Sequence, residues 1–222
     1  MGEMISLAAK DGFKLGAYVA KPNAKPKGAI VVIQEIFGVN HHIKAVSDRF
    51  AAMGYAAVAP ALFDRVKPGI ELGYDPKSIE EGRALRPKIP LEATLADTQA
   101  AIDYAKQFGK VAVVGYCWGG SIAFLSTTRL TGVAAAVGYY GGMIAAHASE
   151  KPRVPLILHF GDKDQSIPMT DVEKIKQAQP GLPIYVYSAG HGFSCDERPS
   201  FDAAASKLAL ERTTAFLKQH IG

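Results

Sequence analysis

Cys117 stands between glycines at minus two and plus two in Gly115-Tyr116-Cys117-Trp118-Gly119-Gly120, directly after the apolar run Val111 to Val114 and before a helical stretch. A strand that turns sharply into a helix crowds the backbone on both sides of the central residue. Those two positions therefore need glycine, and the central side chain is left at the tip, where the helix N-terminus favours a thiolate. Two more loops follow apolar strand-like runs. His159 to Pro168 carries Asp162 and Asp164, either of which can orient an imidazole, and Ala189-Gly190-His191-Gly192-Phe193 frees a histidine to reach across a site. The chain order nucleophile, acid, histidine suits acyl transfer. The cysteine attacks a carbonyl, the histidine exchanges protons, and the aspartate fixes the imidazole's tautomer.

Other chemistries find no pattern. The acidic loop fails the calcium-loop template at Ser166, and no His-Glu-x-x-His pair, dinucleotide fingerprint or phosphate-binding loop occurs. Neither a metal nor a cofactor is expected. Two cysteines exclude a disulfide scaffold and a four-cysteine zinc site. A net charge of +4 comes without a basic block, so neither nucleic acid nor a membrane surface is expected as partner. The longest apolar runs are strand-sized, far below a membrane span. Met1-Gly2 with Ser6 matches the bare myristoylation pattern and is read as a chance match at the start of a strand.

These residues need strands to position them. Ile5 to Ala8 and Phe13 to Val19 flank Asp11-Gly12 as an antiparallel hairpin. Strands follow at Ala29 to Ile33, Tyr55 to Ala59, Val111 to Val114, Val133 to Val137, Leu156 to His159 and Ile184 to Tyr187. Helices are read at His42 to Met53, Ile79 to Leu85, Leu91 to Phe108, from Ser121, at Val172 to Ala178 and over Phe201 to Leu217. Alternation throughout 222 residues, 48% of them hydrophobic, predicts one mostly parallel α/β sheet whose chemistry sits at the carboxyl ends of the strands.

With these motifs the sequence resembles the dienelactone hydrolases (carboxymethylenebutenolidases) over nearly its whole length. The likeness is densest at Gln34-Glu35-Ile36-Phe37-Gly38-Val39-Asn40, at the Cys117 elbow, at Gly138-Tyr139-Tyr140-Gly141 and at Ala189-Gly190-His191. The resemblance implies a single α/β-hydrolase domain over residues 1–222, with Cys117, Asp164 and His191 as the catalytic residues. Asp164 is preferred to Asp162 on the family's spacing from Gly161. The resemblance also implies Glu35 as the group that helps generate the thiolate, and an oxyanion hole from the backbone N–H groups of Ile36 and Trp118, the latter following from the elbow alone. Substrate contacts are implied for Tyr139 and for two arginines, Arg83, with Arg86 as competitor, and Arg198. The chain departs from the family at Cys195, where an arginine is usual, and at Trp118, which is bulkier than the common leucine. Cys195 itself is read as a free thiol rather than a disulfide partner of Cys117. The expectation is a cytoplasmic, cofactor-free monomer that opens an unsaturated lactone or cleaves a small ester. Its rivals are a general esterase or thioesterase, a non-catalytic binder of small ligands and a redox protein using both cysteines.

Overall fold

The computed structural model describes residues 2–222. Eight strands form one sheet: β1 (Glu3–Ala8), β2 (Lys14–Ala20), β3 (Ala29–Ile33), β4 (Ala56–Pro60), β5 (Val111–Tyr116), β6 (Val133–Tyr139), β7 (Leu156–Gly161) and β8 (Ile184–Tyr187). Their order is β1-β2-β4-β3-β5-β6-β7-β8, antiparallel where β1 pairs β2 and β2 pairs β4, and parallel from β4 through β8. Six helices cover it: α1 (His41–Ala52), α2 (Pro76–Leu85), α3 (Leu91–Ala105), α4 (Trp118–Arg129), α5 (Met169–Ala178) and α6 (Ala203–Ile221). Helices α1 and α6 share the face that receives Tyr116 and Tyr139, while α3 and α4 pack together on the other. Sandwiched strands must be apolar on both sides, and every residue of β3, β4 and β5 is buried. None of the helices described is long and apolar enough to cross a membrane.

The starts of α2, α4, α5 and α6 differ from the sequence reading by two or more residues, and three of these have a local reason on view. Helix α4 begins at Trp118 rather than Ser121, because the turn at Cys117 is tight enough for Gly120 N–H to bond Cys117 C=O at 3.0 Å. Helix α2 begins at Pro76, where Asp75 accepts from the N–H groups of Lys77 and Ser78 and proline occupies the first helical position. Helix α6 begins at Ala203, because Asp202 caps it by accepting from Ala205 N–H at 2.9 Å.

The long segment between β4 and α3 folds back over the loop that follows β3. Leu72 N–H bonds Phe37 C=O at 2.8 Å, and Asn40 donates to Leu72 C=O and the Tyr74 hydroxyl. Gly82 lets α2 lie directly on this loop, since a Cβ there would collide with the Ile36 carbonyl.

A buried ion pair ties the segment down. Arg65 donates from Nε and Nη2 to Asp97 on α3 at 2.9 and 2.7 Å, and from Nη1 to Asp11 of the β1–β2 turn at 2.6 Å. Asp97 is fully buried, and burial pushes its carboxyl above the usual range despite the guanidinium. Phe63, two residues before Arg65, stacks on Trp118 at 5.6 Å, which connects this anchor to the elbow. Replacing Arg65 by alanine strands a buried carboxylate and should lower unfolding free energy by about 3–5 kcal/mol in a urea titration. A double variant, Arg65→Met with Asp97→Leu, should recover most of it. A loss under about 1 kcal/mol for the single variant would show that Asp97 is not held charged by Arg65.

Candidate active site

Four strand-end loops meet where the strand order reverses, between β3 and β5. At the end of β5, Cys117 adopts φ 54°, a left-handed conformation that costs a non-glycine residue about 1–3 kcal/mol and persists only when its surroundings enforce it. Here they do. Cys117 N–H bonds Tyr139 C=O at 3.0 Å, and Gly119 N–H bonds Gln34 C=O at 3.1 Å. A Cβ on Gly115 would collide with the Gly119 carbonyl, and one on Gly119 with the Ile33 carbonyl, as the elbow geometry requires.

A hydrogen-bonded line leads away from the sulfur. His191 Nε2 lies 3.1 Å from Cys117 Sγ, and His191 Nδ1 lies 2.7 Å from Asp164 Oδ2. The other Asp164 oxygen accepts from the N–H groups of Ser166 and Ile167 at 2.8 and 3.0 Å. Asp164 is buried while Asp162 is exposed, so the choice between them follows from packing. Burial is the largest influence on His191 and pulls its pKa down. The Cys117 sulfur and the Asp164 carboxylate together outweigh it and push the imidazole up to about 10. The arrangement can hold a thiolate against an imidazolium, which is a nucleophile with its proton already transferred.

The two residues expected to offer backbone donors border the same space. Ile36 and Trp118 line the pocket above Cys117, and among the described residues neither N–H donates to a protein acceptor. Such a pair suits an oxyanion. The pocket encloses about 270 Å³, with Phe37, Ile79, Met143 and Ile167 on its apolar walls and Arg83, Arg86 and Arg198 as its cations.

One expected role needs correction. Tyr139 does not line this pocket. It is 1% exposed, its ring stacks between Tyr116 and His159, and its hydroxyl bonds Thr213 at 2.6 Å. Successive residues of β6 point to opposite faces, and Gly138 takes the α4 side, so Tyr139 must face α6. Its contribution to the site is its carbonyl, which holds the Cys117 N–H. Glu35 makes no hydrogen bond to Cys117 here. Its Oε1 accepts from Arg198 Nη1 at 2.9 Å, and its Oε2 is buried without a partner. Gln34 was given no role of its own in the sequence reading, yet it joins three elements. Its carbonyl receives Gly119 N–H, its Oε1 receives Leu62 N–H, and its Nε2 donates to Glu35 C=O.

Cys195 is fully buried and remains a free thiol, as does Cys117. Burial, followed by the nearby Glu35 charge, pushes the Cys195 thiol up to about 12. His42, Asp196 and Glu197 are the one group of metal-ligating side chains gathered among the described residues. Each has a side-chain partner, though His42 Nε2 is buried without one. His42 pairs with Asp196, which also takes Arg49, and His41 pairs with Glu197. This cluster anchors the loop that carries Arg198 to the start of α1.

Comparison with known proteins agrees with the geometry. The dienelactone hydrolase family model matches residues 15–221. The carboxymethylenebutenolidase of Pseudomonas putida is 37% identical over 226 residues, covering 97% of this chain and 95% of that one, and the enzyme of Pseudomonas knackmussii gives the same figures. A crystal structure from Klebsiella pneumoniae, provisionally named a dienelactone hydrolase, superposes with a TM-score of 0.88 at 30% identity over 99% of each chain. The chain belongs to the dienelactone hydrolase family, carboxylic ester hydrolases built on the α/β-hydrolase fold.

Proposed function

We propose that this enzyme opens an unsaturated lactone of the dienelactone type, or a small ester, through a thioester formed on Cys117. The observation that carries the reading is the unbroken line Asp164–His191–Cys117 at 2.7 and 3.1 Å. The names of the Pseudomonas relatives support the lactone.

In the first step Cys117 Sγ forms a bond to the lactone carbonyl carbon, and the carbonyl electron pair moves onto oxygen, facing the N–H groups of Ile36 and Trp118. Collapse breaks the ring C–O bond. With an ordinary ester the intermediate would tend to expel the thiolate again, because an alkoxide is the poorer leaving group. A lactone that releases an enolate avoids this, since the enolate is far less basic. The enolate then takes a proton from the incoming water, and the resulting hydroxide attacks the thioester, freeing the thiolate and the carboxylate product. Asp164 keeps His191 oriented throughout. Glu35 serves the site by holding Arg198.

The apolar walls of Ile36, Phe37, Ile79 and Trp118 favour a second reading, hydrolysis of neutral aryl esters. Turnover of a dienelactone and of a neutral aryl ester, by the wild-type chain and by Cys117→Ala, separates the two. The expected result is preference for the lactone and a loss of about 10,000-fold in kcat with the alanine. Equal turnover of both substrates would make the lactone too narrow, and an active alanine variant would remove Cys117 from the mechanism.

The pH profile follows from His191. Its imidazolium, which balances the thiolate, is held up to about pH 10, so the alkaline fall in kcat/KM should come as pH rises through that value. Asp164→Asn removes one of the charges that raise the pKa. It should bring the alkaline limb to lower pH as well as reducing the rate, whereas an unmoved limb would mean that another group controls it.

A further inference from the structure

Among the described residues only Cys117 and Tyr140 combine a side chain with a positive φ. The peptide unit joining Tyr139 to Tyr140 connects the two, since its carbonyl accepts the Cys117 N–H at 3.0 Å. At Cys117 the strain lifts the nucleophile. Tyr140, at φ 37°, is fully buried and does not line the pocket, yet a bulky left-handed residue persists only where its surroundings enforce it.

The enforcement is local. Tyr140 N–H bonds His159 C=O at 2.7 Å, and Gly141 packs so closely on α4 that a Cβ there would lie 2.7 Å from Ser121 N. The consequence is a change of side. Strand alternation would send Tyr140 with Gly138 toward α4, where no ring fits, because even a Cβ on Gly138 would meet the Gly120 carbonyl oxygen at 2.9 Å. The positive φ instead returns the ring to the side of Tyr139, 6.0 Å from that ring and 6.4 Å from Tyr116. There it packs edge-on against Phe193 at 5.3 Å, and its centroid lies 5.1 Å from the His191 imidazole.

His191 needs such a wall. Glycines on both sides leave its backbone loosely held, with Gly192 itself at φ 76°. The bond from Nδ1 to Asp164 fixes one edge of the imidazole at 2.7 Å, but a single hydrogen bond is an axis about which the ring can turn. Turning it would carry Nε2 away from Cys117 Sγ, now 3.1 Å distant. Packing against the imidazole blocks that rotation. The Tyr140 hydroxyl takes no part, since Oη is buried without a partner, so the flat ring is what acts.

We propose that Tyr140 is a positioning residue for His191, its ring turned against the imidazole by the left-handed backbone after β6. One turn then steadies the nucleophile through the Tyr139 carbonyl and the base through the next side chain. This deepens the reading above and rests on it only for the pairing of His191 with Cys117.

Alkylation of Cys117 by iodoacetamide at pH 7, followed by mass on the peptide that carries it, reads that pairing without any ester. Cys195 is fully buried, and peptide mapping separates its signal from that of Cys117. A thiol without an imidazolium partner is only a few per cent ionised at neutral pH. Tyr140→Leu keeps apolar bulk but not the flat ring, and should slow alkylation by about 10-fold. Tyr140→Met should do the same, and its adaptable side chain keeps the test available if the leucine variant does not fold. Tyr140→Phe should stay within a few-fold of the wild-type rate. Phe50→Leu, which removes a buried ring from α1, controls for lost core packing and should leave the rate unchanged. Leucine and methionine variants that react as fast as Tyr140→Phe overturn the proposal, and so does an equal slowing in Phe50→Leu. A wild-type Cys117 that reacts no faster than an ordinary exposed cysteine would overturn the pairing with His191 itself, and this proposal with it.

Discussion

The site depends on one strained residue. Cys117 is held at φ 54° between a strand that is buried along its length and a helix that starts at the next position. Any ordinary backbone there would lay the side chain along the sheet or into the helix. The left-handed turn instead lifts the sulfur to the tip and leaves the Trp118 N–H, first in α4, free beside it. The strain is maintained from two sides. Carbonyls of Gln34 and Tyr139, at the ends of the two strands that flank β5, receive the N–H groups of Gly119 and Cys117. Relaxing the elbow would break bonds to both neighbours at once, and the sheet therefore enforces the geometry the chemistry uses.

Charge is arranged around that tip in pairs. Asp164 faces His191, and His191 faces the sulfur. Glu35 faces Arg198 behind the loop that supplies Ile36. Each pair is partly or wholly withdrawn from water, where an unmatched charge is costly and a matched one is directional. The guanidiniums left over belong to α2, over the open side of the pocket.

Much of this was legible in the sequence because the signals were local. Glycines flanking Cys117 and His191, and apolar runs just before both, mark strand-end loops whatever the rest of the chain does. Asp164 could be told from Asp162 only on family spacing. The physical reason, which side chain is buried and capped by Ser166 and Ile167 N–H, is set by tertiary packing. Tyr139 was misplaced although a signal was present, since a glycine at 138 facing α4 fixes the parity of β6 and turns Tyr139 the other way. The Glu35–Arg198 pair spans 163 positions and leaves no trace in spacing. Gln34 and Gly82 look unremarkable as letters. Their importance lies in what their backbones approach, which only the assembled sheet and α2 define.

The account stands or falls on a covalent bond at Cys117. Rapid acid quench during turnover of a dienelactone, followed by peptide mass mapping, looks for the thioester directly. The account predicts a mass increase equal to the ring-opened acyl group on the peptide holding Cys117, appearing before steady state and absent from Cys117→Ala. Turnover with no adduct on any cysteine, or with the adduct on Cys195, would contradict it.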